Sequence, residues 1–165
     1  MTMGRGLRRA VLTTHVASSV GWLGAVAAFL ALSIPGLARH DVQLVRAADT
    51  GMLWIGWSVL VPLSLASLLT GLLQSLGTEW GLFRHYWVVA KLLVNVFASV
   101  VLLLFMHDLG SASYAVSDAP PVHAFVALLL LLVTTILSVY KPRGVTPYGW
   151  RKQRERRIAA QGAVP

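Results

Sequence analysis

The stretch WVVAKLLVNVFASVVLLLFM, residues 87–106, decides the fold. Its 20 positions carry one charged residue, Lys91. At helical rise a run of about 20 residues matches a hydrocarbon core about 30 Å thick. Lipid offers no partner to an open peptide group, so such a segment must be a helix. Three other runs share this character: Leu12–Ile34, Met52–Leu76 and Val122–Tyr140. The chain therefore reads as an all-α polytopic membrane protein with four transmembrane helices. Short connections predict an up-down-up-down bundle. Residues 1–11 form a basic N-terminus, 12–140 the membrane domain and 141–165 a basic C-terminal tail.

Composition agrees. Hydrophobic residues make up 56% of the 165 positions and charged residues 12%. That is about half the charge of an ordinary soluble domain, too little to cover a water-facing surface. The chain has no cysteine, which excludes disulfides, thiolate metal sites and cysteine nucleophiles.

The net charge of +8 sits in the loops and tails. Arg5, Arg8 and Arg9 precede the first span, and Arg84 lies between the second and third. Lys141, Arg143, Arg151, Lys152, Arg154, Arg156 and Arg157 follow the fourth. On the opposite side, Arg39 and Arg46 are balanced by Asp41 and Asp49, and Asp108 and Asp118 follow. The positive-inside rule puts both termini in the cytoplasm, and the expected location is a bacterial plasma membrane. The first apolar run is too long for the h-region of a cleaved signal peptide and reads as a retained helix. The basic tail is expected to grip anionic lipid, and nothing else in the chain points to nucleic acid as a partner.

Between the spans, Leu37–Gly51 reads as a short surface helix with Leu37, Val42, Leu44 and Val45 toward the membrane. Gly77–Tyr86 reads as a tight turn. His107–Pro121 is the longest outer connection, and Pro120-Pro121 marks the start of the fourth helix. Ala17, Gly21, Ala25 and Ala28, with Gly24 beside them, form a stripe that would let helices approach closely. Pro62 removes a backbone hydrogen bond and predicts a kink. Ser64, Ser67, Gly71 and Gln74 should share an inward face. Most tryptophans lie near span ends, whereas Trp22 sits deeper.

Ionisable groups inside spans are costly and mark candidate sites. His15 lies about one turn inside the first span. Lys91 lies about one turn inside the third, with Asn95 one turn further along the same face. Both are near the cytoplasmic leaflet, with Glu79 and His85 at that interface. His107 and His123 are near the outer leaflet. Lys91 and His107 stand about 24 Å apart along one helix, which implies two sites. Haem iron accepts neutral imidazole. His107 and His123 could thus ligate one haem b from neighbouring helices, and His15 another, with Lys91 as propionate partner or second ligand. A copper or zinc site using His107, His123 and Asp108 is a weaker reading, as is metal ligation by His15. Against these stand ordinary structural roles: a snorkelling Lys91, interfacial His107 and His123, and a His15 bonded to a neighbouring helix.

The run His15-Val-Ala-Ser-Ser-Val-Gly-Trp22-Leu-Gly24 resembles the first-helix signature of a diffuse group of bacterial four-helix membrane proteins. That group includes uncharacterised small integral membrane proteins, the copper-resistance D family and the haem-linked protoporphyrinogen oxidase family. Trp87-Val-Val-Ala-Lys91-Leu-Leu is similar to a pattern opening the third helix in several of them. The resemblance implies that His15, Trp22, Gly24 and Lys91 form the site and hold haem. The oxidase pattern also has an Arg inside the first or second span, and this chain has none there. Met52 and Met106 do not make the Met- and His-rich segments of copper resistance. The uncharacterised family is the best match.

Three functions follow as expectations. The first is a b-type haem electron carrier or redox subunit, with quinone or a protein as partner. The second is a non-catalytic accessory or scaffold subunit of a larger membrane complex or homo-oligomer. The third, a transporter, is weakest, because no span holds a carboxylate. Hydrolytic catalysis is set aside for the same reason: a Ser with His15 would lack an orienting acid.

Overall fold

The computed structural model describes residues 4–38, 41–77, 83, 85–109, 119–140 and 144–161. Arg39, His40, Glu79, Trp80, Arg84, Lys141 and Arg143 lie outside the described residues, as does the whole of the connection 110–118 with Asp118. Helix α1 spans Arg5–Ala38. Helix α2, Val42–Ile55, passes through a π-helical turn at Gly56–Leu60 into α3, Val61–Gly77. Helices α4 and α5 span Tyr86–Leu109 and Ala119–Tyr140. A further helix, α6, covers Pro147–Gln161. Four helical stretches are long and apolar enough to cross a bilayer, and α2 through α3 count as one. The fold is the expected all-α membrane bundle. Helix α1 packs on α3 and α5, α3 on α4, and α4 on α5, which closes the ring.

Several boundaries differ from the sequence reading. The basic N-terminal residues from Arg5 on form the first turns of α1. The segment read as a separate surface helix is the beginning of the second rod. Asp41 caps it, its carboxylate accepting from the amides of Gln43 at 2.9 Å and Leu44 at 3.2 Å. Such a cap satisfies N–H groups that have no partner within the helix. Ala48 and Met52 are buried, and α2 packs against α1, so the segment is held by the bundle rather than by the membrane surface.

Pro62 acts through the turn before it. The Val61 amide donates to the Gly56 carbonyl, five residues back. One extra residue is thus accommodated just ahead of the proline, whose ring could not have continued an ordinary ladder. The turn also brings Gly56 against α4. A Cβ on Gly56 would lie 2.0 Å from Met106 Sδ, and Met106 is fully buried. Only glycine fits there.

The small-residue stripe on α1 is not the packing face as a whole. Ala17, Gly24 and Ala28 are exposed, and a Cβ on Gly24 would meet nothing within 4 Å. Gly21 and Ala25 do face the bundle, with Leu63 against Gly21. The buried ridge is Ser18, Trp22, Ala25, Phe29 and Ser33, a row at steps of three and four residues. Large side chains therefore set the spacing over much of α1. On α3 the inward polar face is as read, with Ser64 and Ser67 buried.

The tail is helical as well. Thr146 caps α6, its Oγ1 accepting from the Gly149 amide at 3.1 Å. Pro147 occupies the first helical position, where its missing N–H costs nothing.

Candidate functional site

Two groups of polar and aromatic side chains form inside the bundle, at opposite ends. The first lies at the end that carries the start of α1 and the C-termini of α3 and α5. His15 reaches across from α1 to α3. Its Nδ1 lies 3.1 Å from the Ser67 carbonyl oxygen and 3.1 Å from Thr70 Oγ1. A carbonyl only accepts, so Nδ1 carries the proton. Thr70 donates its own hydroxyl to backbone oxygens of its helix, leaving its oxygen to accept from His15. Ser19 Oγ meets Ser67 Oγ at 2.8 Å one turn further along. The imidazole lies over Gly71, where a Cβ would be 3.0 Å from His15 Cε1. The absence of a side chain at Gly71 is what lets the ring sit between the two helices.

Lys91 belongs to the same end. Its Nζ donates to Ser138 Oγ on α5, and Ser138 donates in turn to the Thr134 carbonyl at 2.9 Å. The ammonium also lies 5.9 Å from the centre of the Trp87 ring, within reach of a cation–π attraction. The sequence reading placed His15 and Lys91 at one depth, and both lie at this end of the bundle, His15 bonded to α3 and Lys91 to α5. Asn95, one turn further along α4, is half-buried.

The second group lies at the far end. The His123 ring stacks on Phe105, with centroids 4.7 Å apart and planes 20° apart. Phe105 in turn meets Phe29 edge-on at 6.2 Å and 71°. This aromatic row joins α5, α4 and α1. Beside it is a cavity of about 250 Å³ lined by Trp22, Leu60, Ala98, Phe105, His123 and Ala127 among others. Its walls include Phe97, Val122 and Val126, which are exposed on the outer faces of their helices, so the cavity opens sideways toward lipid. Trp22 is 3% exposed, and its indole N–H finds no acceptor among the described residues; Gln74 Nε2 and Ser99 Oγ are likewise buried without a partner.

The candidate residues therefore separate into His15 with Lys91, and Trp22 with His123. His107 is exposed in the last turn of α4 and is not part of the cavity wall. Among the described residues no three His, Asp or Glu side chains gather into a metal site. His107 and Asp108, read with His123 as a weaker copper or zinc site, stand exposed at the end of α4. The sequence reading missed Ser19 and Thr70 as partners across the α1–α3 seam. It also missed the Phe29–Phe105–His123 row, whose members lie on three helices. Comparison with protein-family models, with curated proteins and with solved structures found no match to this chain.

Proposed function

We propose that this protein is a membrane-embedded redox subunit whose far-end cavity holds a lipid-soluble ring compound with a carbonyl acceptor, of the quinone class. The observation that carries this reading is the pairing of an apolar, laterally open cavity with the unpartnered N–H of Trp22 on its wall. A ligand site is typically an apolar cleft with few, well-placed polar groups. Here Trp22 supplies a donor and His123 an imidazole. A flat ring with a carbonyl would fill the one and accept from the other, and its isoprenoid or acyl chain would leave through the lipid-facing side. Electrons would come from a partner protein.

The arrangement favours a smaller ring over haem b. At about 250 Å³ the cavity lies below the roughly 300–1,000 Å³ of pockets that enclose drug-sized ligands, and a porphyrin is larger than most of those. One imidazole, His123, is on its wall, and His107 is not. His15 has the tautomer of an iron ligand, with Nε2 unprotonated, but its ring is packed against Gly71 in the α1–α3 seam. We place the end bearing Arg5, Arg8, Arg9 and α6 in the cytoplasm of a bacterial cell, in line with the positive-inside rule.

The test is isothermal titration of a short-chain benzoquinone into the protein in lipid nanodiscs. Wild type should bind saturably. Trp22→Phe, which removes one hydrogen-bond donor, should weaken binding roughly 2- to 10-fold. Ala127→Phe, which fills the cavity, should abolish it. Equal, unsaturable uptake by all three proteins and by empty discs would overturn the reading in favour of an accessory subunit without a ligand. A Soret band with reduced α and β bands, lost in His123→Ala or His15→Ala, would overturn it in favour of haem.

A further inference from the structure

The chain after α5 is fixed to the bundle before its basic helix begins. Thr146 Oγ1 donates to the Phe83 carbonyl. The Tyr86 amide donates to the Gly144 carbonyl at 3.4 Å, and His85 pairs with Val145 in an antiparallel bridge. Phe83–Tyr86 leads directly into the first turn of α4. Helix α6 therefore starts at the level where the apolar spans begin, at the interface rather than in open solvent.

Its side chains suit that level. Lys152 and Glu155 pair with each other at 3.0 Å, which occupies the acid of this helix. Arg151, Arg154 and Arg157 remain on one side with Trp150, and these four, with Gln153, line a concavity of about 320 Å³. Trp150 and Ile158 are more than half exposed. Guanidinium groups grip phosphate oxygens in a fork geometry that ammonium groups lack, and an indole prefers the headgroup layer.

We propose that Trp150, Arg151, Arg154 and Arg157 form a binding site for the headgroup phosphate of an anionic phospholipid. The guanidinium groups hold the phosphate, and Trp150 lies along the glycerol and upper acyl region. The site is independent of the far-end cavity and stands whatever occupies that cavity. It differs from a loose polybasic tail in two respects: its position is fixed by Gly144–Thr146, and its selectivity belongs to three named arginines.

The experiment is native mass spectrometry of the full-length protein released from detergent with equal amounts of phosphatidylglycerol and phosphatidylcholine. Wild type should retain phosphatidylglycerol preferentially. The variant R151Q/R154Q/R157Q should lose that preference, with each arginine contributing about 5-fold. R5Q/R8Q/R9Q, with the same charge change at the same end of the bundle, should keep it. Glutamine preserves helix propensity and the positions are exposed, so folding is not at risk. Equal retention of both lipids by wild type would overturn the proposal. So would equal loss in both triple variants, which would signify a diffuse field. Displacement of the lipid by inorganic phosphate at modest concentration, or by a short RNA, would assign the arginines to a soluble ligand and overturn it as well.

Discussion

Replacing Gly71 with alanine should destabilise the protein only while His15 is present. A Cβ at Gly71 would stand 3.0 Å from His15 Cε1 and 3.5 Å from Nδ1. The ring cannot retreat freely, because Nδ1 is held by the Ser67 carbonyl and Thr70 Oγ1. Overpacking of this kind costs about 1–3 kcal/mol, and alanine regains about 1 kcal/mol of helix propensity over glycine. The net effect in wild type is a loss of about 1 kcal/mol. In a His15→Ala background the clash is gone, and the same substitution should gain about 1 kcal/mol. The two effects differ in sign, so the coupling should be about 2 kcal/mol, within the range of contacting residues. His15→Ala alone removes one imidazole from the seam and its interhelical hydrogen bonds, which average about 0.6 kcal/mol each in membranes. The assay is reversible unfolding of the four proteins of the cycle in mixed micelles titrated with SDS. Additive effects, within about 0.5 kcal/mol, would refute the idea that Gly71 exists to seat His15.

Gly56→Ala should cost more than Gly21→Ala, Gly51→Ala or Gly71→Ala, since its Cβ would stand 2.0 Å from the sulfur of a fully buried Met106. Gly24→Ala, with nothing within 4 Å, should be neutral or slightly stabilising, and thermal unfolding of the pair in one detergent compares them. Asp41→Ala should remove the cap of α2 at a cost of about 1 kcal/mol, read as faster amide hydrogen exchange at Gln43 and Leu44 with the rest of the bundle unchanged. Thr146→Val should release the start of α6, since the hydroxyl both donates to Phe83 and caps the helix. Limited trypsinolysis should then cut at Arg151–Arg157 well before it does in wild type, and equal cleavage rates would show that the segment Gly144–Thr146 holds without it.

The apolar runs made the class and the number of spans legible, because a lipid solvent leaves helices as the economical answer for a single chain of this length. The inward turn of Ser64 and Ser67 was legible too, since small hydroxyls at helical spacing in an apolar run have little reason to face lipid. Helix rotation elsewhere was not. On α1 the sequence reading took the stripe of small residues as the packing face, whereas the buried ridge runs through Ser18, Trp22 and Phe29. The choice between them depends on how much volume α3 and α5 present, which no property of α1 records. The π-helical turn was half visible: Pro62 announced a disturbance, but its form depends on the fit of Gly56 against Met106, 50 positions away in sequence. The pairing of His15 with Thr70 and of Lys91 with Ser138 was hidden for the same reason. Depth can be counted along a helix, whereas azimuth is decided by the neighbours.

At the basic end most polar groups are bonded across helix seams, although Gln74 Nε2 is buried there without a partner among the described residues. At the basic end, His15, Ser19, Ser67, Thr70, Lys91 and Ser138 bond to one another or to backbone across helix seams. In lipid that is how polar side chains are expected to hold helices together, and these groups are already occupied. At the far end the indole N–H of Trp22 has no such partner, although it is almost fully buried in an apolar surround. A buried donor left unmade costs about 1–3 kcal/mol, and phenylalanine would fill much the same space without that cost. A ligand acceptor reaching this N–H would recover the cost on binding. Gln74 Nε2 and Ser99 Oγ are also buried without a partner among the described residues, but of the three only Trp22 lies on the cavity wall, and recognition is best placed there.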